Sequence, residues 1–159
     1  MRAPGDVQWD KTADVVVIGY GLAGAAAAIT AHDQGARVVI LEKQDAETHC
    51  SASSLSGGLF LSSSDTAGAA EYLRALNRLG EGPGWSDDDS LRVLAEYSAR
   101  NSAWIQALGG KPVFLCRAAE HPQLPGAGSI ELWEVKGKGL RLMELMYRQV
   151  KARGIDVLY

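Results

Sequence analysis

Residues 14–43 read DVVVIGYGLAGAAAAITAHDQGARVVILEK. Four β-branched residues, Val15 to Ile18, open into Gly19, Gly21 and Gly24; an alanine-rich segment follows, and a second apolar run, Val38 to Leu41, ends at Glu42 and Lys43. The pattern is strand, tight turn, helix, strand, with G-x-G-x-x-G at the turn. The first glycine permits the turn out of the strand, the second lets a phosphate reach the backbone without meeting a Cβ, and the third lets helix and strand pack closely. A helix starting near Leu22 aims its unpaired N–H groups and positive dipole end at a pyrophosphate. Glu42 lies about 20 residues past the fingerprint, where a carboxylate accepts hydrogen bonds from an unphosphorylated ribose. The simpler alternative is a generic βαβ unit whose glycines only turn the chain. The ordered succession of strand, glycines, helix and acid argues against it.

Around this stretch the composition is that of a globular protein: 47% hydrophobic and 22% charged over 159 residues, enough for one domain with a sizeable core. A net charge of −3 and a pI near 5.6 argue against nucleic acid or an anionic membrane as the main partner. Cys50 and Cys116 are far apart in sequence and form no C-x-x-C, so no metal site or disulfide framework is implied, and a reducing, cytoplasmic compartment is expected. The opening MRAPGDVQWDKTAD lacks the apolar core of a signal peptide. The apolar stretch after it is broken by His32, Asp33, Gln34 and Arg37, so no transmembrane segment is expected.

Further along, residues 48–64 form a serine-rich loop that passes Gly57 and Gly58 before the short apolar run Leu59 to Leu61. Residues 65–110 read as helical. Asp65 or Thr66 caps a first helix carrying Ala69, Leu73 and Leu76, ended by a turn from Gly80 to Gly84. Asp87, Asp88 and Asp89 open a second, which continues through Leu91, Leu94, Trp104, Ile105 and Leu108 to a stop at Gly109-Gly110. That explains the acidic run without a metal. Prolines and glycines make residues 111–135 an irregular connection, with a short strand at Val113 to Cys116. Residues 136–159 give a third helix, starting near Gly137 or Gly139 and closed by Gly154, then a strand from Ile155 that returns to the sheet. The third helix is apolar on more than one face and should be well buried. The expected class is α/β: a Rossmann-like βαβ unit with additional helices, an incomplete doubly wound domain at the front of a larger protein. In such a fragment, apolar faces of the second and third helices should be left uncovered.

With these residues in place, the sequence resembles the N-terminal part of the flavoprotein family that includes fumarate reductases, succinate dehydrogenase flavoprotein subunits and 3-ketosteroid Δ1-dehydrogenases. The resemblance rests on DVVVIGYGLAGAAAA, VVILEK, SASSLSGG and, more loosely, GKGLRLMELMYRQVKARGIDVLY. The helical middle is similar in character to the ketosteroid-dehydrogenase-like branch. The resemblance implies FAD as cofactor. It implies Gly19, Gly21, Leu22, Ala23 and Gly24 around the pyrophosphate, Glu42 with Lys43 at the adenosine ribose, and Ser51, Ala52, Ser56, Gly57 and Gly58 beside the flavin. Hydroxyls and backbone amides suit the last place, since they hydrogen-bond without adding charge.

Two departures stand out. His49-Cys50 occupies the place of a Gly-Gly usual in relatives. The histidine that carries covalent FAD in succinate dehydrogenase flavoproteins falls at Ser51 here, so His49 misses it by two residues. Non-covalent FAD is therefore expected, with His49 a polar loop residue. Tyr20, between the first two glycines, either lines the cofactor groove or packs at its edge.

In this family the flavin exchanges a hydride at a carbon–carbon bond next to a carbonyl or carboxylate, which implies a small-molecule substrate, steroid-like or dicarboxylate-like. No catalytic acid or base stands out: Tyr72, Tyr97, Tyr147, His121 and Arg117 are explained equally well by helix positions and a proline-rich loop. The rival readings are an NAD-dependent dehydrogenase, for which the Ser51–Gly58 loop has no evident use, and a non-catalytic dinucleotide-binding module or half of a split enzyme whose partner chain supplies the remaining flavin and substrate contacts.

Overall fold

A computed structural model describes residues 9–80, 84–117 and 119–159. The first eight residues of the N-terminal segment and the interior of the turn expected between Gly80 and Gly84 lie outside them. The chain divides into two compact units, one of residues 1–52 and 146–159, the other of residues 53–145.

The first unit contains the βαβ stretch. Strand β1 (Val15–Ile18), helix α1 (Leu22–Asp33) and strand β2 (Val38–Leu41) follow one another as the sequence predicts. Strand β6 (Asp156–Leu158) then returns to the sheet, giving the all-parallel order β1-β2-β6 with Val16 opposite Val39 and Ile40 opposite Val157. Central strand β2 is buried at Val38, Val39 and Ile40. Helix α1 buries Ala25, Ala28 and Ile29, and its contacts are with β1 and β2. Its small residues permit that close approach. Val16 and Ile18, on alternate positions of β1, are 54% and 86% exposed, so one face of this strand is uncovered.

The second unit departs further from expectation. The serine-rich stretch contains a one-turn helix α2 (Ala52–Leu55, Ala52 itself belonging to the first unit), and Leu59–Ser62 is strand β3. Helix α3 (Thr66–Asn77) is capped by Asp65, whose carboxylate accepts from Gly68 N–H at 3.0 Å. The long second helix expected up to Gly109 is two helices, α4 (Asp88–Ser98) and α5 (Asn101–Ala107). Asp87 caps α4 through Ser90 N–H, and Asp88 pairs with Arg74, so the acidic run serves helix structure. The break between α4 and α5 has tertiary causes: the Asn101 amide donates to Leu61 O at 2.9 Å and Ser62 Oγ donates to Ala99 O at 3.5 Å, both from strand β3.

Residues 111–135 are not an irregular connection. They contain β4 (Pro112–Arg117) and β5 (Glu131–Val135), which with β3 make an antiparallel sheet of order β3-β5-β4. Pro112 is tolerated as the first residue of an edge strand. Among the described residues, Ala69, Ala70, Tyr72, Ala95 and Ile130 form a buried cluster.

Helix α6 (Lys138–Ala152) starts in the second unit and finishes in the first. It buries Leu142, Met143, Leu145, Met146 and Val150, as its breadth of apolar positions predicts, and leaves Leu140 56% exposed. The uncovered apolar face expected on the second helix is present on α4, where Val93, Leu94 and Tyr97 are 41%, 53% and 62% exposed. Among the described residues no helix is long and apolar enough to cross a membrane.

Candidate functional site

The glycine turn is built by three constraints. Gly19 has φ +97°, a left-handed value natural to glycine, and its N–H donates to Leu41 O at 2.7 Å, tying the end of β1 to β2. Gly24 could not carry a side chain, because its Cβ would land on the Gly19 carbonyl oxygen and 3.3 Å from Val17 Cγ1. Gly21 is the N-cap of α1, and Ala25 N–H bonds back to its carbonyl at 2.9 Å. No side chain caps this helix and its first turn holds no acid. The N-terminal dipole end, about half a positive charge, is thus left without a carboxylate of its own. Leu22 and Ala23 fill that first turn, Ala23 on the surface.

Glu42 follows β2 and its N–H donates to Leu158 O at 2.8 Å. Its side chain is only 7% exposed. Oε2 accepts from Tyr20 N–H at 2.7 Å and Oε1 from Gln44 N–H at 2.9 Å. These donors, Gln44 foremost and then Tyr20, hold the carboxyl below its ordinary value against the opposing effect of burial, with the His49 imidazole adding to them. An ionised carboxylate offers about four lone-pair sites, more than Tyr20 and Gln44 occupy. Lys43 beside it is exposed.

His49 is not a solvated loop residue. Its side chain is 6% exposed, with Nε2 3.6 Å from Glu42 Oε2. The ring stacks on Tyr20 at 5.4 Å and 13° and meets Tyr147 and Tyr159 edge-on. Burial, then the neighbouring phenols of Tyr159 and Tyr147, pushes the Tyr20 hydroxyl well above the usual tyrosine range. Tyr20, His49, Tyr147 and Tyr159, with Val150 and Lys151, line a cavity of about 440 Å³. Aromatic packing holds this histidine inside, and its only sequence signal was its place in a position usually held by glycine.

In the serine-rich stretch, Ser51 is buried and accepts a hydrogen bond from Tyr147 OH at 3.4 Å, while Ala52 is exposed. Ser56 and Gly57 are exposed and Gly58 is buried, with φ +68° and its N–H donating to Ser56 Oγ at 3.1 Å. Within the first unit the structure therefore brings together Gly19, Gly21, Gly24 and Glu42; within the second it brings together Ser56, Gly57 and Gly58. Of the polar side chains nominated by type, Tyr72, Tyr97, Arg117 and Tyr147 have structural partners. Tyr72 OH accepts from His121 N–H, Tyr97 lies under the Arg100 guanidinium, and Arg117 sits 3.6 Å from Glu131.

A family model described as "FAD binding domain" matches residues 14–159. The chain belongs to the FAD-binding domain family. FAD is accordingly the cofactor indicated for this chain. The FAD-binding chain is 34% identical over 110 residues to 3-oxo-5-alpha-steroid 4-dehydrogenase of Comamonas testosteroni, which covers 65% of this chain and 20% of that protein. It is 28% identical over 155 residues to a fumarate reductase (cytochrome) of Shewanella frigidimarina, covering 92% of this chain and 26% of that one. A solved 3-ketosteroid-delta4-(5alpha)-dehydrogenase from Rhodococcus jostii RHA1 superposes with TM-score 0.73 over 99% of this chain and 40% of its own length, at 24% identity, and so shares the fold. The FAD-binding chain thus spans about a fifth to a quarter of these two sequence relatives.

Proposed function

We propose that this chain holds FAD non-covalently and forms the cofactor-binding part of a flavin-dependent oxidoreductase. The observation that carries the reading is the glycine turn joined to Glu42: a helix N-terminus without a side-chain cap or a first-turn acid, approached over a backbone that Gly19 and Gly24 keep free of side chains, with a carboxylate beside it. In this reading Gly19, Gly21, Leu22, Ala23 and Gly24 receive the pyrophosphate, and Glu42 with Lys43 holds the adenosine ribose. Ser51, Ala52, Ser56, Gly57 and Gly58 serve the flavin end. The His49 imidazole, enclosed by tyrosine rings and turned toward Glu42, supports non-covalent attachment.

When bound, the flavin would accept or donate a hydride at a carbon–carbon bond next to a carbonyl or carboxylate. The names of the relatives, a steroid dehydrogenase and a fumarate reductase, favour an apolar ketone or a dicarboxylate as substrate. We place the substrate-contacting groups on further polypeptide, in this chain or a partner, corresponding to the remaining length of those relatives. Two free cysteines, Cys50 and Cys116, both exposed, support a reducing, cytoplasmic setting.

The test is the visible absorbance spectrum of the purified chain after incubation with FAD, repeated after denaturation and removal of small molecules. Flavin retained on the native chain and released on denaturation is the expected result. Flavin that stays with the denatured chain would overturn the non-covalent assignment, and none retained by the native chain would overturn the cofactor site.

A further inference from the structure

The first turn of α6 and the end of the serine-rich stretch are interlocked backbone to backbone. Gly139 N–H donates to Ser56 O at 3.2 Å. A Cβ on Gly139 would run into Ser53 O and come within 2.7 Å of Ser56 Oγ. The reverse holds at Gly58, whose Cβ would strike the Lys138 carbonyl carbon and lie 2.5 Å from Gly139 N. Between two glycines, Lys138 takes φ +62°, the one left-handed non-glycine residue among those described. Such a conformation persists where the surroundings over-determine it. The lysine side chain itself is on the surface, so the constraint comes from the backbone path and not from its ammonium.

We propose that the Gly137–Gly139 turn is the seat on which the Ser56–Gly58 loop is held, and that Gly139 is a positioning residue for the flavin end of the cofactor. This rests on the reading that Ser56–Gly58 serve the flavin. The carbonyl of Ser56 is anchored on α6, and Ser56 Oγ, which donates to Ser53 O at 2.8 Å, receives Gly58 N–H. The loop's hydroxyl and amides are therefore fixed before any ligand arrives. A side chain at Gly139 displaces the loop by force, since what it meets is backbone. Nothing in this contact concerns the glycine turn at Gly19–Gly24, so adenosine diphosphate recognition should be spared.

The experiment titrates the chain with FAD and, separately, with ADP, for wild type, Gly139→Ala and Lys138→Gly, and records the flavin absorption band of each FAD complex. Gly139→Ala should weaken FAD by about tenfold or more and shift the flavin band, while ADP affinity stays within about twofold. Lys138→Gly should leave both affinities at the wild-type value. FAD affinity unchanged in Gly139→Ala would overturn the proposal. So would a parallel loss of ADP, which locates the damage in the fold at large, or an equal loss in Lys138→Gly, which assigns the effect to the ammonium. If wild type binds FAD no more tightly than ADP and leaves the flavin spectrum unperturbed, the underlying reading of the loop as a flavin contact fails, and the inference goes with it.

Discussion

Replacing Glu42 by alanine removes the shared acceptor of two part-buried N–H groups, Tyr20 at the glycine turn and Gln44 beyond the strand. A hydrogen bond to a charged group contributes about 1.5–3 kcal/mol. The neighbouring cavity of about 440 Å³ lets water reach part of the vacated space. The expected loss of stability is therefore about 2–4 kcal/mol for Glu42→Ala and about half that for Glu42→Gln, which keeps one oxygen. The pH dependence gives a second reading. The Glu42 carboxyl lies below its ordinary value of 4.5 in the folded chain. Its contribution is thus fully present above that value and is lost as pH falls through the folded one, so wild type and Glu42→Gln should converge in acid. Urea unfolding followed by circular dichroism at pH 7 and at stepwise lower pH measures both effects. FAD titration of the same proteins should show about a tenfold to hundredfold loss for Glu42→Ala. A stability change within about 0.5 kcal/mol at pH 7 would refute the hydrogen-bond argument. Lost stability with unchanged FAD affinity would leave Glu42 as the anchor of the turn and remove it from the ribose.

Gly24→Ala should destabilise the chain by about 3 kcal/mol, because the new methyl lands on the Gly19 carbonyl; an unfolding midpoint equal to wild type would contradict the packing described. Gly21→Val, at a φ of −86° open to any residue, should leave the melting curve nearly intact and abolish FAD retention, and normal retention counts against the groove. Lys138→Gly relieves a left-handed backbone and should raise stability by about 0.5–1 kcal/mol after the entropy cost of glycine, read as a higher urea midpoint. Asp14, held by Arg37, should titrate at about 2 by carbon-13 NMR and return toward 3.8 in Arg37→Met. The pair's contribution is present above about pH 3.8 and disappears toward pH 2, so a normal Asp14 titration in wild type would remove it.

The parts of the fold legible in the sequence are those fixed by neighbours in the chain. Val15–Ile18, the three glycines and the alanine-rich helix each state their conformation within a few residues, and β1, α1 and β2 follow directly. Strand β5 does not, because its partners lie at Leu59–Ser62, roughly 70 residues away, and at Pro112–Arg117 across a proline- and glycine-rich stretch, and pairing at such separations leaves no local signal. The break at Ala99–Arg100 is equally silent: there is no proline or glycine there, only contacts made by Asn101 and Ser62 after folding. At the candidate site, the positions of Gly19, Gly24 and Glu42 could be read from spacing. The burial of His49 and the grip of Gly139 on the serine loop could not, since both depend on segments remote in sequence.

The parallel sheet is assembled from segments far apart in sequence, with β2 at its centre and β6 arriving roughly 115 residues after Leu41. A ribosome adding about 5–20 residues per second needs roughly 6–23 s to deliver that strand. Throughout this interval the edge of β2 that β6 will take, at Val39, Ile40 and Leu41, waits for its partner, since β1 occupies the opposite edge. The yield of correctly folded chain therefore depends on what meets that edge first, and slower synthesis widens the opportunity for the wrong strand.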